Sequence, residues 1–259
     1  MELREVECRY EANRLLDGLL VASPEEIDLS LIAWRIGRLR IVEGGIETAE
    51  GRLVATAGRG VIRLKQGIRP EGRRRFTIAH EIGHYVLHGV GTVTDTAANF
   101  RMWAGGSKEA EANIFAGELL MPEKLFKPRV DRAEPSLVLV DSLADEFRTS
   151  SLATAVHFVE HTREPCAVVA SRGGDVLWLR RSRNFDWRLT GGRLDPYSAA
   201  GEIVAGKSGD TAGMVDVAAG AWMEGFDRDG KSTVREDSRR IEWLDLVISL
   251  LWVRDELEE

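Results

Sequence analysis

The feature that most constrains this chain is the run His80-Glu81-Ile82-Gly83-His84, which lies inside a segment with helical periodicity. We predict a helix over residues 73–88, with Gly89 as its C-cap. Residues four apart share one face of a helix, so the two imidazoles can bind the same ion. The pattern predicts a metal-binding helix, and neutral imidazoles suit zinc.

Three neighbours of the histidine pair bear on its chemistry. Glu81 is placed to take a proton from a water activated by the metal and to pass a proton to a leaving amine. The alternative is a pair of core or surface histidines that never meet a metal. Gly83 argues against this, because a glycine costs helix stability unless another backbone approaches closely. We interpret His88 as a partner of the helix dipole rather than a group lining the site.

A catalytic zinc ion uses three protein ligands and keeps one position open, so a second helix must supply another ligand. Residues 107–120 are predicted to form that helix, which ends at Met121-Pro122. Glu109 is the better candidate, because it shares a face with small alanines that permit close approach to the first helix. Glu111, on a more mixed face, is the alternative. The acid that is not a ligand is expected to be a solvated residue at the helix start.

Composition limits the kind of protein. The chain has 259 residues, 44% hydrophobic and 30% charged, which is typical of a globular protein with more than one module. The formal net charge of −7 excludes a surface devoted to nucleic acid, but leaves room for a local basic patch. We find no signal-peptide pattern and no apolar stretch that could span a bilayer. Cys8 and Cys166 lack metal-ligand spacing, so we expect a cytoplasmic protein with reduced thiols.

Local patterns predict the remaining elements. Residues 1–20 are expected to form a helix with Val6 and Tyr10 on its apolar face. The other predicted elements are strands at 52–56 and 60–65, two short helices between 137 and 161 separated by Arg148-Thr149-Ser150, a strand from Cys166, and a last helix at about 239–256. The strand at 60–65 is either an edge that pairs with an extended substrate or an interior strand.

The two helical motifs resemble a known family. Residues 75–88, RFTIAHEIGHYVLH, and residues 109–122, EAEANIFAGELLMP, resemble the ImmA/IrrE metallopeptidases, and two long motifs in this order are highly specific. The resemblance covers about residues 30–125. It implies a minimal thermolysin-like, gluzincin-like fold, with His80, His84 and Glu109 as ligands and Glu81 as base. It thereby supports Glu109 over Glu111.

By similarity, the expected activity is zinc-dependent, site-specific cleavage of a helix-turn-helix repressor, which relieves repression of stress, DNA-damage or phage-defence genes. Mn²⁺ is an alternative to Zn²⁺, because such ligands accept several divalent ions. A second hypothesis, from another class, is a non-catalytic regulator that keeps the metal fold and acts by binding DNA or protein. The intact His80, Glu81 and His84 argue against it.

We predict an α+β protein with three domains. The peptidase domain covers residues 1–132, a helix-turn-helix-like unit 133–163, and an α/β sensor-like domain, GAF-like by analogy alone, residues 164–259. Residues 143–156 look like a helix-turn-helix of the kind that some family members carry. Because residues 150–161 contain no Arg, Lys, Asn or Gln to contact bases or phosphates, we favour a structural unit.

Two arginine-rich segments are candidates for nucleic-acid binding. In the C-terminal domain the candidate residues are Trp178, Arg180, Arg181, Arg183 and Trp187, a mixture that can stack single-stranded bases and hold phosphates. The alternative, which we favour, is a strand and turn with solvated arginines and core aromatics. A small-molecule signal is a further alternative ligand of this domain. The run Arg73-Arg74-Arg75 is predicted to be solvated or part of the scaffold.

Overall fold

The structure is a computed structural model that describes residues 3–47, 49–89, 91–94, 107–131 and 133–254, with the backbone alone for 91–94. It has the predicted α+β composition, with helices and two sheets. The chain is divided into two compact units. The first unit contains Met1–Phe126 and Ala144–Ser150, and the second contains Lys127–Leu143 and Ser151–Glu259. The three-domain division at residues 132 and 163 stays a prediction. No helix among the described residues is both long and apolar enough to cross a membrane.

The first unit combines helices with a four-stranded sheet. Its elements are α1 (Leu3–Asp17), α2 (Leu29–Gly37), β1 (Leu39–Glu43), β2 (Gly51–Thr56), β3 (Arg59–Leu64), α3 (Glu71–His88), β4 (Gly91–Thr94) and α4 (Lys108–Leu120), with a 3₁₀ turn at Pro24–Glu26. The strand order is β1-β3-β2-β4, in which β1 and β3 are parallel and the other pairs antiparallel. The predictions of β2 and β3 are confirmed. Because β3 is an interior strand, the edge-strand alternative for residues 60–65 is wrong.

Local signals set the ends of the two helices that matter most. Helix α3 ends at Gly89, whose φ is 80° and whose N–H donates to the Tyr85 carbonyl at 3.2 Å. Helix α4 begins after Ser107, whose hydroxyl accepts the Ala110 N–H at 3.1 Å. Such caps satisfy backbone groups that a helix leaves unpaired at its ends. Both predicted helices are confirmed, and α3 begins two residues earlier than expected, at Glu71.

Helix α1 buries a different face from the one its apolar residues suggested. Val6 and Tyr10 are exposed, whereas Cys8, Ala12 and Leu16 are buried. The buried residues include small ones, which allow α1 to lie close to α4. Burial raises the pKa of the Cys8 thiol to about 11, so this cysteine is not a reactive thiolate at neutral pH.

The helix-turn-helix-like segment contains α6 (Leu137–Phe147) and α7 (Ser151–His161), preceded by α5 (Glu123–Val130). The predicted break at Arg148-Thr149-Ser150 is confirmed. Within the first unit this turn lies directly against α3, because a Cβ added at Gly72 would come 2.2 Å from the Thr149 carbonyl carbon. The turn therefore packs on protein within this unit, and the interpretation of the segment as a structural unit stays a prediction.

The C-terminal part forms a five-stranded sheet. Its elements are β5 (Cys166–Arg172), β6 (Asp175–Arg181), α8 (Ala199–Val204), β7 (Val215–Ala218), β8 (Thr233–Ile241) and β9 (Leu246–Trp252), with 3₁₀ turns at Ala219–Ala221 and Glu242–Leu244. The order is β6-β5-β9-β8-β7, and all pairs of these strands are antiparallel. A core that includes Phe185, Trp222 and Leu251 packs on one face. The strand predicted from Cys166 is confirmed.

The predicted helix over residues 239–256 is wrong. Residues up to Ile241 complete β8, the chain turns at Asp245 with a φ of 51°, and β9 follows. All seven residues of β9, LVISLLW, are buried, because this strand lies in the middle of the sheet. A strand that is buried on both faces has a continuous apolar run, and such a run resembles a buried helix in sequence.

Candidate metal centre

Small residues bring α3 and α4 together. A Cβ added at Gly83 would lie 3.0 Å from Phe115 Cδ1 and 3.2 Å from Ala112 Cα. Ala112 and Ala116 on α4 are fully buried. The predicted close approach at Gly83 is therefore confirmed, since the backbone of α4 occupies the space that a side chain would need.

Three side chains from these helices converge. Glu109 Oε2 lies 3.1 Å from His80 Nε2, and Glu109 Oε1 lies 3.3 Å from His84 Nε2. The two Nε2 atoms are 2.9 Å apart. The His80 and His84 side chains are almost completely buried, whereas about a third of the Glu109 side chain is exposed. One ligand atom from each residue lies within 4.8 Å of the others, so the group can hold one metal ion.

The chemistry of this group fits a cation. His80 Nδ1 hydrogen-bonds to Asn113 Oδ1 at 2.8 Å, and an N–H there leaves the lone pair of the neutral ring on Nε2. That lone pair faces a carboxylate, which also only accepts. When the imidazoles instead carry a proton on Nε2, their hydrogen bonds, that of His80 first, lower the pKa of Glu109. Two nitrogens and one carboxylate oxygen are a common zinc ligand set.

The Glu111 carboxylate has other partners than the imidazoles of His80 and His84. Its carboxylate accepts a hydrogen bond from Arg4 Nε at 3.1 Å and lies 3.8 Å from His88 Nε2. His88 donates from Nε2 to the Lys108 carbonyl at 3.2 Å, and burial is the main cause that lowers its pKa. The structure thus brings the carboxylate of Glu109, rather than that of Glu111, to the paired imidazoles, while the His88 ring packs on the His84 ring with a centroid distance of 5.4 Å.

Glu81 is fully buried and lies against β2. A Cβ added at Gly51 would come 2.6 Å from Glu81 Oε1 and 2.7 Å from Thr77 Cγ2. Gly51 thus leaves the space that the Glu81 carboxylate occupies, and sequence reasoning did not assign it this role. The available signal was a glycine at a strand position, which often marks close approach of another group.

The basic run before the motif belongs to the scaffold of the first unit. Arg73 forms an ion pair with Glu50. Arg74 pairs with Glu43 at 2.9 Å. Arg75, which is buried, donates to the Ile27 carbonyl at 3.2 Å. These contacts connect the start of α3 to the sheet and to the segment before α2, in agreement with the scaffold interpretation.

The C-terminal candidate residues do not form one cluster. Trp178 and Arg180 lie opposite Ala170 and Val168 in the β6–β5 pair, whereas Arg181 lies opposite Ala167, which faces the core. Trp178 and Arg180 therefore share one face of the sheet and Arg181 lies on the other. Arg183 follows the strand, and Arg181 Nη1 donates to the Trp187 carbonyl at 3.0 Å. The three arginines line a cleft of about 530 Å³.

A helix that carries HExxH, with a carboxylate supplied by the next helix, defines the class of HExxH metallopeptidase-like domains. Comparison with known proteins agrees. Residues 39–158 match the family model described as Peptidase_M78, IrrE N-terminal-like domain. Over 110 residues, or 40% of this chain, the sequence is 31% identical to the radiation response metalloprotease IrrE of Deinococcus radiodurans, and it spans about a third (32%) of that relative's length.

A solved structure of a Mycobacterium tuberculosis transcriptional regulator matches 95% of this chain and 76% of its own, with a TM-score of 0.59 and 13% identity. At this identity the match concerns the fold alone. The resemblance drawn from the two motifs agrees with these matches: residues 39–158 are similar to the IrrE N-terminal-like family, and the radiation response metalloprotease IrrE is one of the relatives that match.

Proposed function

We propose that this chain is a zinc-dependent, site-specific endopeptidase. The observation that carries the proposal is the convergence of His80, His84 and Glu109, with the buried Glu81 next to His80 in the same helix. The match of residues 39–158 to the IrrE N-terminal-like family model, together with the likeness to a metalloprotease, supports a protease role. The finer assignment to a thermolysin-like fold rests on the same two motifs, and Mn²⁺ is the alternative metal.

In this mechanism His80, His84 and Glu109 hold the ion. A divalent ion at this position supplies Lewis-acid polarisation of the scissile carbonyl and of a water. Glu81 takes a proton from the water as its oxygen bonds to the carbonyl carbon. When the C–N bond breaks, Glu81 delivers that proton to the leaving amine, so that the base returns to its starting state. Burial of Glu81 limits exchange of this proton with bulk solvent.

The proposed substrate is a helix-turn-helix transcriptional repressor, whose cleavage relieves repression in a stress, DNA-damage or phage-defence response in the cytoplasm. Family resemblance supports this class of substrate. The test is co-expression of the full chain with a small helix-turn-helix protein encoded by a neighbouring gene, followed by mass spectrometry of the products. We expect one cleaved bond, and no cleavage after chelation of the metal. Intact candidate repressors in the presence of zinc-loaded protein would contradict the proposal.

The competing function is a non-catalytic, metal-containing regulator that binds DNA or protein. The observation that favours this second function is the likeness in fold to a protein described as a transcriptional regulator. A Glu81→Gln variant separates the two functions. It loses all biological effect if the chain is a peptidase, and keeps that effect if binding alone suffices.

For the C-terminal domain we propose a sensor with a GAF-like architecture that controls the peptidase. The candidate ligand is single-stranded DNA held by Trp178, Arg180, Arg181, Arg183 and Trp187, or a small anionic molecule in the same cleft. The support is a cleft of about 530 Å³ lined by three arginines. Arg180 and Arg181 start from opposite faces of the sheet, but β6 is its edge strand, so both side chains can line the same cleft.

A further inference from the structure

One face of α4 contacts both nitrogens of the His80 ring. Glu109 Oε2 lies 3.1 Å from Nε2, and Asn113 Oδ1 lies 2.8 Å from Nδ1. Glu109 and Asn113 are four residues apart, so they lie above one another on the same side of the helix. The Asn113 and His80 residues are only 1% and 4% exposed, so water does not compete for the hydrogen bond between them.

We propose that Asn113 is a positioning residue that fixes the tautomer and the ring orientation of His80. The inference rests on the metal site of the proposed function. A neutral imidazole carries one N–H, and only the ring nitrogen without it can bind a metal. An amide oxygen at Nδ1 selects the tautomer with its proton on Nδ1. The lone pair of Nε2 then points at Glu109 and His84.

An amide suits this position better than a second carboxylate would. Glu81 is fully buried, and Glu109 already brings a negative charge to the His80 ring. Asn113 orients the ring through a neutral oxygen and adds no further charge to a buried site. The arrangement is also one-sided. Among the described residues, His84 Nδ1 is buried and has no hydrogen-bond partner, so Asn113 acts on His80 and not on His84.

The test compares Asn113→Leu, which keeps the size and removes the acceptor, with Asn113→Asp, which keeps an acceptor oxygen. The first readout is zinc affinity of the full chain, measured by competition with a chelator. The second is the His80 tautomer in the metal-free protein, measured by ¹⁵N NMR of the imidazole. We expect Asn113→Leu to weaken zinc binding roughly 10- to 100-fold and to populate the other tautomer of His80. Asn113→Asp should keep both properties.

Asn13→Leu is the matched control. Asn13 donates to Glu118 Oε1 at 2.8 Å within the same unit, so the same substitution removes an amide hydrogen bond that does not involve His80. This variant should lose stability while its zinc affinity and its His80 tautomer stay at the wild-type values. A loss of zinc in Asn13→Leu equal to that in Asn113→Leu would reduce the effect to folding and overturn the proposal.

Two further outcomes decide the inference. Wild-type zinc affinity together with a retained Nδ1–H tautomer in Asn113→Leu would overturn it. If Asn113→Leu does not fold, Asn113→Asp decides, because loss of the Nδ1–H tautomer despite an acceptor would also overturn it. Failure of the proposed function looks different. A wild-type protein that binds no zinc contradicts the metal site, whereas the tautomer in the metal-free protein still tests the role of Asn113.

Discussion

The α3–α4 region and the β6 region both concentrate side chains suited to binding. The helices bring these side chains to one point, whereas the strand divides them between two faces of a sheet. In α3 and α4, His80, His84 and Glu109 bring one ligand atom each to within 4.8 Å of the others. In β6, Trp178 and Arg180 lie on one face of the sheet and Arg181 lies on the other. The first group can act on one ion. The second group is divided between two faces, and only its three arginines, Arg180, Arg181 and Arg183, line a common cleft.

The difference follows from the period of each element. Residues four apart on a helix share a face, so a sequence motif becomes a cluster when the helix forms. Neighbouring residues on a strand point to opposite faces, so a dense run of functional residues is divided in two. Burial adds to the contrast, since His80 and His84 are buried whereas Arg181 and Arg183 are exposed. Substitutions in the two regions should therefore differ in the size of their effects.

The largest effect is expected for Glu81→Gln. The amide has nearly the same shape, so it fits beside Gly51, but it cannot take a proton from water. We expect the rate of repressor cleavage to fall by about 10²- to 10⁴-fold, with zinc content unchanged. Single-turnover cleavage and elemental analysis measure the two quantities. Glu111→Gln is the matched control and should cleave at the wild-type rate. A Glu81→Gln variant as active as wild type would remove Glu81 from the mechanism.

The next effect concerns metal content. Glu109→Ala removes a carboxylate that lies 3.1 Å from His80 Nε2 and 3.3 Å from His84 Nε2, so we expect the variant to lose most of its zinc on dialysis. Glu111→Ala removes a partner of Arg4 and should leave the zinc content close to that of wild type. Elemental analysis of both proteins decides. Equal loading of the two variants would mean that neither carboxylate is a dominant ligand.

A smaller effect should come from Gly83→Ala, because its Cβ would lie 3.0 Å from Phe115 and 3.2 Å from Ala112. We expect the crowding to lower the free energy of unfolding by about 1–3 kcal/mol, partly offset by alanine's helix preference of about 1 kcal/mol. Gly191→Ala is the control, since a Cβ there meets nothing within 4 Å. It should change stability by less than about 0.5 kcal/mol. Urea denaturation measures both, and equal stability of the two variants would show that α4 can move away from α3.

The helical half of the candidate site could be predicted from sequence because its determinants are local. Gly89 and Ser107 mark helix ends, and the spacing of His80 and His84 fixes their common face. Local signals do not separate Glu109 from Glu111, because both acids lie in the first turn of α4. Packing of α4 on α3, which depends on Gly83 and on the alanines of α4, decides which carboxylate reaches the imidazoles.

What sequence reasoning missed depends on interactions between distant parts of the chain. Gly51 was not assigned a role, because its proximity to Glu81 requires β2 to pack on α3. Asn113 was not assigned a role either, because its hydrogen bond with His80 joins residues that are 33 apart in sequence. The run LVISLLW of β9 has the pattern of a buried helix, because a central strand lacks the polar alternation that distinguishes a strand with one exposed face.

The smallest effect is expected in β6, where it tests whether the two faces act independently. If single-stranded DNA binds the cleft, Arg181→Ala/Arg183→Ala should weaken binding more than Arg180→Ala, because Arg180 lies on the other face and is half-buried. Removing one arginine–phosphate interaction should reduce the salt dependence, the slope of log K against log salt, by about 0.7. Fluorescence anisotropy at several salt concentrations measures affinity and slope. Equal reductions in affinity for both variants would mean that the two faces act together, and unchanged binding would leave this segment as sheet and turn.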